Sequence, residues 1–155
     1  MYLNRRATLA RMAVAGLGTG LTLAGCSWID GEPEPPHPLL GVLSGARDLS
    51  ARHRATLKAH PNLADRLHPL RDNHRTHMKQ LVRLIGAEAA SPSPSGSGSP
   101  AAAPEREEAA LNQLRRAERD AAEAAVTACL KAPADHAGLV GSIAACRFSH
   151  WEVLR

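Results

Sequence analysis

The chain has 155 residues, of which 19 are lysine or arginine and 15 are aspartate or glutamate, so its formal net charge is +4. Three of the basic residues and none of the acidic ones lie within residues 1–25, and the other 130 residues carry 16 basic and 15 acidic side chains. This near-neutral balance argues against nucleic acid as a partner, because nucleic-acid binding needs a persistent basic patch. Aromatic residues make up only 3% of the chain, so aliphatic side chains and alanine have to form the core, which suits close-packed helices.

Residues 1–25 have the three regions of a secretory signal in the usual order. Basic residues come first, an uncharged stretch from Met12 to Thr22 follows, and the segment leads into Leu23-Ala24-Gly25-Cys26. These last four residues resemble a bacterial lipobox. The resemblance implies that a peptidase cuts between Gly25 and Cys26 and that the Cys26 thiol is lipidated, with palmitate among the acyl chains.

The lipobox resemblance implies a lipid-anchored protein at the extracytoplasmic face of the cell membrane, because two or three acyl chains anchor stably where one does not. A transmembrane helix and a chance match in a cytosolic protein are the alternatives. A transmembrane helix needs roughly 20 apolar residues, and this stretch is shorter and interrupted by glycines. Arg5-Arg6 also resembles a twin-arginine export signal, so that route and general secretion both stay open.

Beyond the signal, composition divides the chain into a tether and a folded domain. Residues 26–38 are rich in proline without hydrophobic periodicity, which is typical of an extended tether. The domain is predicted to span residues 39–155, as a helical hairpin at 39–86, a linker at 87–104 rich in Ser, Pro, Gly and Ala, and a second hairpin at 105–155.

The first hairpin is predicted from apolar residues that return at three- and four-residue steps. Helix one runs from Leu39 to Lys58, and helix two runs from Asn62 to Gly86. Pro69 either kinks helix two or marks its true first turn. The inward stripes are Leu39, Leu43, Ala46, Leu49, His53 and Leu57 in helix one, and Leu63, Leu67, Leu70, His74, His77, Leu81 and Leu84 in helix two.

The second hairpin follows the same pattern. Helix three runs from Glu105 to Lys131 with acidic residues in its first turn, and helix four runs from Ala137 to Leu154 after a turn that contains Pro133. The inward stripes are Leu111, Leu114, Glu118, Ala121, Ala125 and Cys129 in helix three, and Leu139, Ile143, Cys146, His150 and Val153 in helix four. No strand is predicted anywhere.

Two hairpins with a long link between them predict an all-α fold, a four-helix bundle with a crossover connection. Crossing a bundle of about 30 Å takes around nine extended residues, which the linker exceeds. A connection at the same end of the bundle and two independent hairpins are the alternatives. Three segments carry a resemblance to exported ferritin-like lipoproteins of actinobacteria, a family of unknown function: residues 70–77, 117–122 and 141–150. This resemblance implies a ferritin-like four-helix bundle between Leu39 and Leu154.

Ferritin-like enzymes supply a Glu-x-x-His motif from each of two helices, and this chain departs from that pattern. Arg147 stands three residues before His150, and no glutamate precedes His77 at that spacing. Five polar residues nevertheless fall on the inward stripes, where an unpaired polar group is costly. They are His53, His74, His77, Glu118 and His150.

Three hypotheses account for these five residues. They form one histidine-rich site for a transition metal, or they form a buried polar network in which Glu118 pairs with histidines and fixes the helix register, or they lie at wet boundary positions. Cys129 and Cys146 form an even pair in an oxidising compartment once Cys26 is set aside, so they are a possible disulfide. Two small buried thiols are the alternative.

Motifs of phosphate-binding loops and of serine hydrolases are missing from the chain. The sequence therefore favours a module without catalysis that interacts with an envelope protein or has a structural role. A metal-binding or redox protein that uses the inward histidines and Glu118 is the first alternative. A carrier of a small apolar ligand between alanine-rich helices is the second.

Overall fold

In the computed structural model, described for residues 37–91 and 102–155, four α-helices follow one another in the chain. They are α1 (Leu40–Ala59), α2 (Ala64–Ile85), α3 (Glu107–Lys131) and α4 (Ala134–Val153), with a short 3-10 turn at Pro61–Leu63 before α2. The predicted all-α class is confirmed, since the described residues include no strand. The predicted signal, the lipidation site Cys26, most of the tether and linker residues 92–101 lie outside the described residues.

Local signals end the helices close to the predicted positions. The left-handed backbone of Gly86, with φ 90°, stops α2, and its amide donates to the carbonyl of Val82 at 2.9 Å. α4 begins three residues earlier than predicted, because the carbonyl of Pro133 already accepts the amides of His136 and Ala137. Pro69 lies inside α2 rather than in its first turn, since the 3-10 turn at Pro61–Leu63 forms the start of this segment.

Two aliphatic clusters mark the two ends of the helical domain. The entry-end cluster lies where the described chain begins, and it joins the start of α1, the end of α2 and the start of α4. The turn-end cluster lies near the α1–α2 connection. The entry-end cluster contains Leu39, Val42, Leu43, Leu81, Ala90, Val140 and Ile143, and the turn-end cluster contains Leu63, Leu67, Leu70, Leu114 and Leu154.

The clusters also give the direction of each helix. α1 runs from the entry end to the turn end, and α2 returns. α3 begins at the turn end, where His60 Nε2 donates to the carbonyl of Pro104 at 2.9 Å, and α4 runs back from the entry end. α2 and α3 therefore point the same way.

The buried residues of α1, α2 and α3 follow the predicted inward stripes with small departures. In α4 the buried face is rotated relative to the predicted stripe. Val140, Ala144 and Arg147 of α4 are buried, whereas Val153, predicted to face inward, is 53% exposed. Leu84, in the last turn of α2, is also exposed. No helix in residues 37–91 and 102–155 is long and apolar enough to cross a membrane.

Candidate functional site

Each of the four helices places one polar side chain at the same level of the core, between the two aliphatic clusters. His53 comes from α1, His74 from α2, Glu118 from α3 and His150 from α4, and all four are buried. Each residue lies on its helix's buried stripe, with leucine or alanine one or two turns away on either side. We call these four residues the central layer.

The central layer converges on one atom, the Oε1 oxygen of Glu118. His74 Nε2 lies 2.7 Å and His53 Nε2 lies 2.8 Å from this oxygen, and His150 Nδ1 lies 3.4 Å from it. An ionised carboxylate only accepts hydrogen bonds, so both short contacts need hydrogen on Nε2. The structure therefore brings four of the five predicted residues, His53, His74, Glu118 and His150, together around one oxygen atom.

His77 is the fifth predicted residue, and it lies beside the central layer without joining it. Its ring centroid is 6.1 Å from that of His74, and its Nδ1 atom is buried without a hydrogen-bond partner. Burial, reinforced by the charges of His74 and Arg147, lowers the pKa of His77 to about 4. At neutral pH this imidazole is therefore uncharged.

The carboxylate of Glu118 is ionised although it is fully buried. Burial by itself raises the pKa of a carboxyl group, but the contact with His150 and the hydrogen bonds from His53 and His74 outweigh that effect and hold the pKa of Glu118 below its usual range. Burial lowers the pKa of His74, which Glu118 only partly opposes. The central layer therefore holds a negative charge next to a neutral His74.

His150 supplies the compensating proton. Burial alone would lower its pKa, but contacts with Cys146 and Glu118 raise the pKa to about 9. His150 Nε2 lies 3.3 Å from Cys146 Sγ and 3.1 Å from Asn73 Nδ2. Because a protonated imidazole carries hydrogen on both nitrogens, the Asn73 amide has to turn its oxygen towards Nε2.

Arg147 is a buried charge that the sequence prediction missed. The guanidinium is 1% exposed and donates to the carbonyls of Ala121 and Val42, both at 3.0 Å. Gly45 makes room for it, since a Cβ atom there would lie 3.4 Å from Nη1. Arg147 lies three residues before His150, the position that a glutamate has in a Glu-x-x-His motif.

Several ligand-type atoms of the centre are buried without a hydrogen-bond partner among the described residues. They include Nδ1 of both His53 and His74 and the second carboxylate oxygen, Oε2 of Glu118. One ligand atom from each of these three residues can be chosen so that all lie within 4.8 Å of one another, which is close enough to hold one metal ion. The donor set is two imidazoles and a carboxylate, which suits Zn²⁺ and other transition metals.

The two cysteines considered for a disulfide are not bonded to each other, which corrects that expectation. Both thiols are free, and Cys129 Sγ donates to the carbonyl of Ala137 at 3.3 Å. A Cβ atom added to Gly141 would lie 3.5 Å from the Cys129 sulfur, so this sulfur lies at the level of Gly141. Cys146 is five residues beyond Gly141, about 7.5 Å further along α4. The two thiols therefore lie at different levels of the hairpin, and Cys146 contacts His150 instead.

Comparisons of this chain with models of protein families, with curated proteins and with solved structures find no match. The ferritin-like lipoprotein resemblance therefore stays a prediction.

Proposed function

We propose that the protein is an extracytoplasmic lipoprotein with a ferritin-like helical domain, anchored in the cell membrane through Cys26. The lipobox pattern supports the anchor. The helix directions support the ferritin-like fold, because α2 ends at the entry end and α3 begins at the turn end. A crossover formed by residues 92–101 fits this arrangement, since ten extended residues span about 33 Å.

Within this domain, the function that the geometry supports best is the binding of one transition-metal ion. The observation that carries this proposal is the convergence of His53, His74 and Glu118, all fully buried, from three different helices. The hypothesis that these residues lie at solvated boundary positions does not hold, because their side chains have no exposed surface.

The residues present fit a mononuclear site and do not fit a dinuclear one. A dinuclear iron site in a ferritin-like protein uses a carboxylate from each helix, whereas the cluster in the described residues contains Glu118 alone. His53, His74 and Glu118 would hold the ion, and the two Nε2 atoms, now 2.8 and 2.7 Å from Glu118 Oε1, would have to move away from this oxygen because ligand atoms of one ion do not hydrogen-bond to each other. An ion would also replace the imidazole protons that now point at Glu118.

Metal analysis of the natively processed protein tests this proposal. We expect one ion per chain in the unaltered protein, and loss of that ion in His74→Ala and in Glu118→Gln. His77→Ala is the matched control, because His77 is buried next to His74 without contacting Glu118. A folded protein without metal, which also takes up none when Zn²⁺ or Co²⁺ is present during refolding, contradicts the proposal.

A metal-free interaction or structural module is the second candidate. The short contacts at 2.7 and 2.8 Å favour it, because they satisfy Glu118 Oε1 without an ion. This candidate predicts that a chelator leaves the melting temperature unchanged. The carrier of a small apolar ligand receives less support, since the cavity beside Trp151, about 530 Å³, is lined mainly by arginines and acidic residues.

A further inference from the structure

A shallow groove at the entry end combines an apolar floor with a basic rim. Met78 and Val82 form the floor, and Arg47, Lys79 and Arg83 surround it, enclosing about 430 Å³. Met78 and Val82 also pack against the entry-end cluster, and Arg47 donates to the carbonyl of Ala90 at 2.6 Å. These contacts fix the groove at the end where the described chain begins.

Other large apolar side chains are exposed at the same end. Leu84 is 37% exposed and follows Arg83 in the last turn of α2, and Leu130 is 84% exposed and precedes Lys131 in the last turn of α3. Val126, one turn before Leu130, is 41% exposed. Apolar side chains interspersed with lysine and arginine are typical of surfaces that enter the headgroup region of a bilayer.

The proposed anchor leads to this end of the domain. Cys26 stands eleven residues before His37, so the connecting chain reaches about 36 to 40 Å only when it is fully extended. α3 alone, with 25 residues, is about 37 Å long. The entry end is therefore the part of the domain that the anchor holds nearest the membrane, which raises its effective concentration at the lipid surface.

We propose that the entry end docks directly on an anionic phospholipid bilayer, with the apolar side chains at the headgroup boundary and the four cations against lipid phosphates. The cations are Arg47, Lys79, Arg83 and Lys131. This inference rests on the proposed function, because the lipid anchor at Cys26 brings the surface to the membrane. Each basic residue near an anionic surface is attracted to it, and salt screens that attraction.

The three lysines of the chain provide the test. Lys79 and Lys131 lie at the entry end, and Lys58 lies in the last turn of α1 at the turn end. The natively processed lipoprotein is reconstituted in vesicles of phosphatidylcholine, with or without phosphatidylglycerol, and the rate of acetylation of each lysine is measured. We expect acetylation of Lys79 and Lys131 to slow several-fold in the anionic vesicles, relative to Lys58, and to recover at high salt.

Variants separate docking from anchoring. Arg83→Glu and Leu130→Ser should each reduce the protection, whereas Arg106→Glu, an exposed arginine at the turn end, should not. If the protein floats with the vesicles while all three lysines react as fast as in phosphatidylcholine, the docking proposal is overturned and the anchor stands. If the protein does not float with either vesicle, the anchor is wrong and the docking proposal fails with it.

Discussion

The core of this protein has two kinds of region, and they solve different physical problems. The aliphatic clusters at the entry and turn ends consist of leucine, valine, isoleucine and alanine, whose burial stabilises the fold without requiring any one partner. The central layer buries charged and polar groups that are stable only when each has its partner. The ends should therefore tolerate replacement by side chains of similar volume, whereas the central layer should tolerate no loss of charge.

Removal of the negative charge on Glu118 should cause the largest loss of stability. Glu118→Gln keeps the shape but leaves the buried His150 proton and the Arg147 guanidinium without a carboxylate, so we expect a loss of about 4 kcal/mol in the free energy of unfolding. Urea denaturation measures it. Glu123→Gln is the control, because Glu123 is 57% exposed and makes an exposed ion pair with Arg119. Equal effects for the two variants would contradict the central role of Glu118.

Truncation of a side chain in an end cluster should lower the free energy of unfolding somewhat less than Glu118→Gln does. The loss should depend only on the volume that is removed. Leu67→Ala removes a fully buried side chain of the turn-end cluster, and we expect a loss of about 3 kcal/mol. Leu67→Met nearly conserves the volume and should cost below about 1.5 kcal/mol. A Leu67→Met variant as unstable as Leu67→Ala would show that the end clusters are as demanding as the central layer.

The pH dependence of stability should come mainly from the central layer and His77. The pKa of His150 is raised to about 9, so its stabilisation is complete below pH 6.5 and is lost as pH rises through 9. The pKa values of His74 and His77 are lowered, so stability also falls as pH drops below 6.5, with the His77 contribution ending near pH 4. We therefore expect maximum stability near pH 6.5.

Each titrating histidine changes the free energy of unfolding by at most about 1.4 kcal/mol per pH unit. Urea denaturation across pH 4 to about 9 measures the slopes. His150→Gln should flatten the alkaline limb and leave the acid limb in place. An unchanged alkaline limb in that variant would show that His150 is not the group that holds the extra proton.

Substitution of a glycine outside the end clusters and the central layer should give the smallest change in stability. Gly86 has φ 90°, a conformation that L-residues rarely adopt, so Gly86→Ala should cost about 1 kcal/mol. Gly138 is inside α4, and a Cβ atom added there would have no neighbour within 4 Å, so Gly138→Ala should instead stabilise the fold by about 0.5 to 1 kcal/mol. Thermal denaturation of the two variants should give melting-temperature shifts of opposite sign.

The helices and their ends were predictable from the sequence because periodicity and proline or glycine signals are local. The phase of α4 was less predictable, since apolar residues such as Leu139, Val140 and Cys146 surround the helix and leave little contrast between its faces. The prediction placed Leu139 and Val153 inward. Leu139 is half-buried against the entry-end cluster, whereas Val153 is exposed, and packing against α1 and α3 buries Val140 and Arg147.

The candidate site was predictable as a set of residues and not as a geometry. Each of His53, His74, Glu118 and His150 could be assigned to a buried stripe, but their common level depends on how far each helix extends past its neighbours. The burial of Arg147 could not be predicted from the apolar pattern, because arginine is charged and is rarely fully buried. The glycine that accommodates it, Gly45, is 102 residues away in the sequence, so the pairing becomes visible only in three dimensions.

The position of the central layer between two aliphatic clusters also limits the timing of any exchange with solvent. Leucines and isoleucine pack at both ends, and the side chains of His53, His74 and Glu118 have no exposed surface, so solvent reaches Glu118 through openings of the packed helices. Such openings are rare excursions whose frequency the stability of the packed ends determines. If the proposed metal ion is bound at this centre, its release would require such an opening, so the stability of the packed ends would also set how slowly the ion leaves.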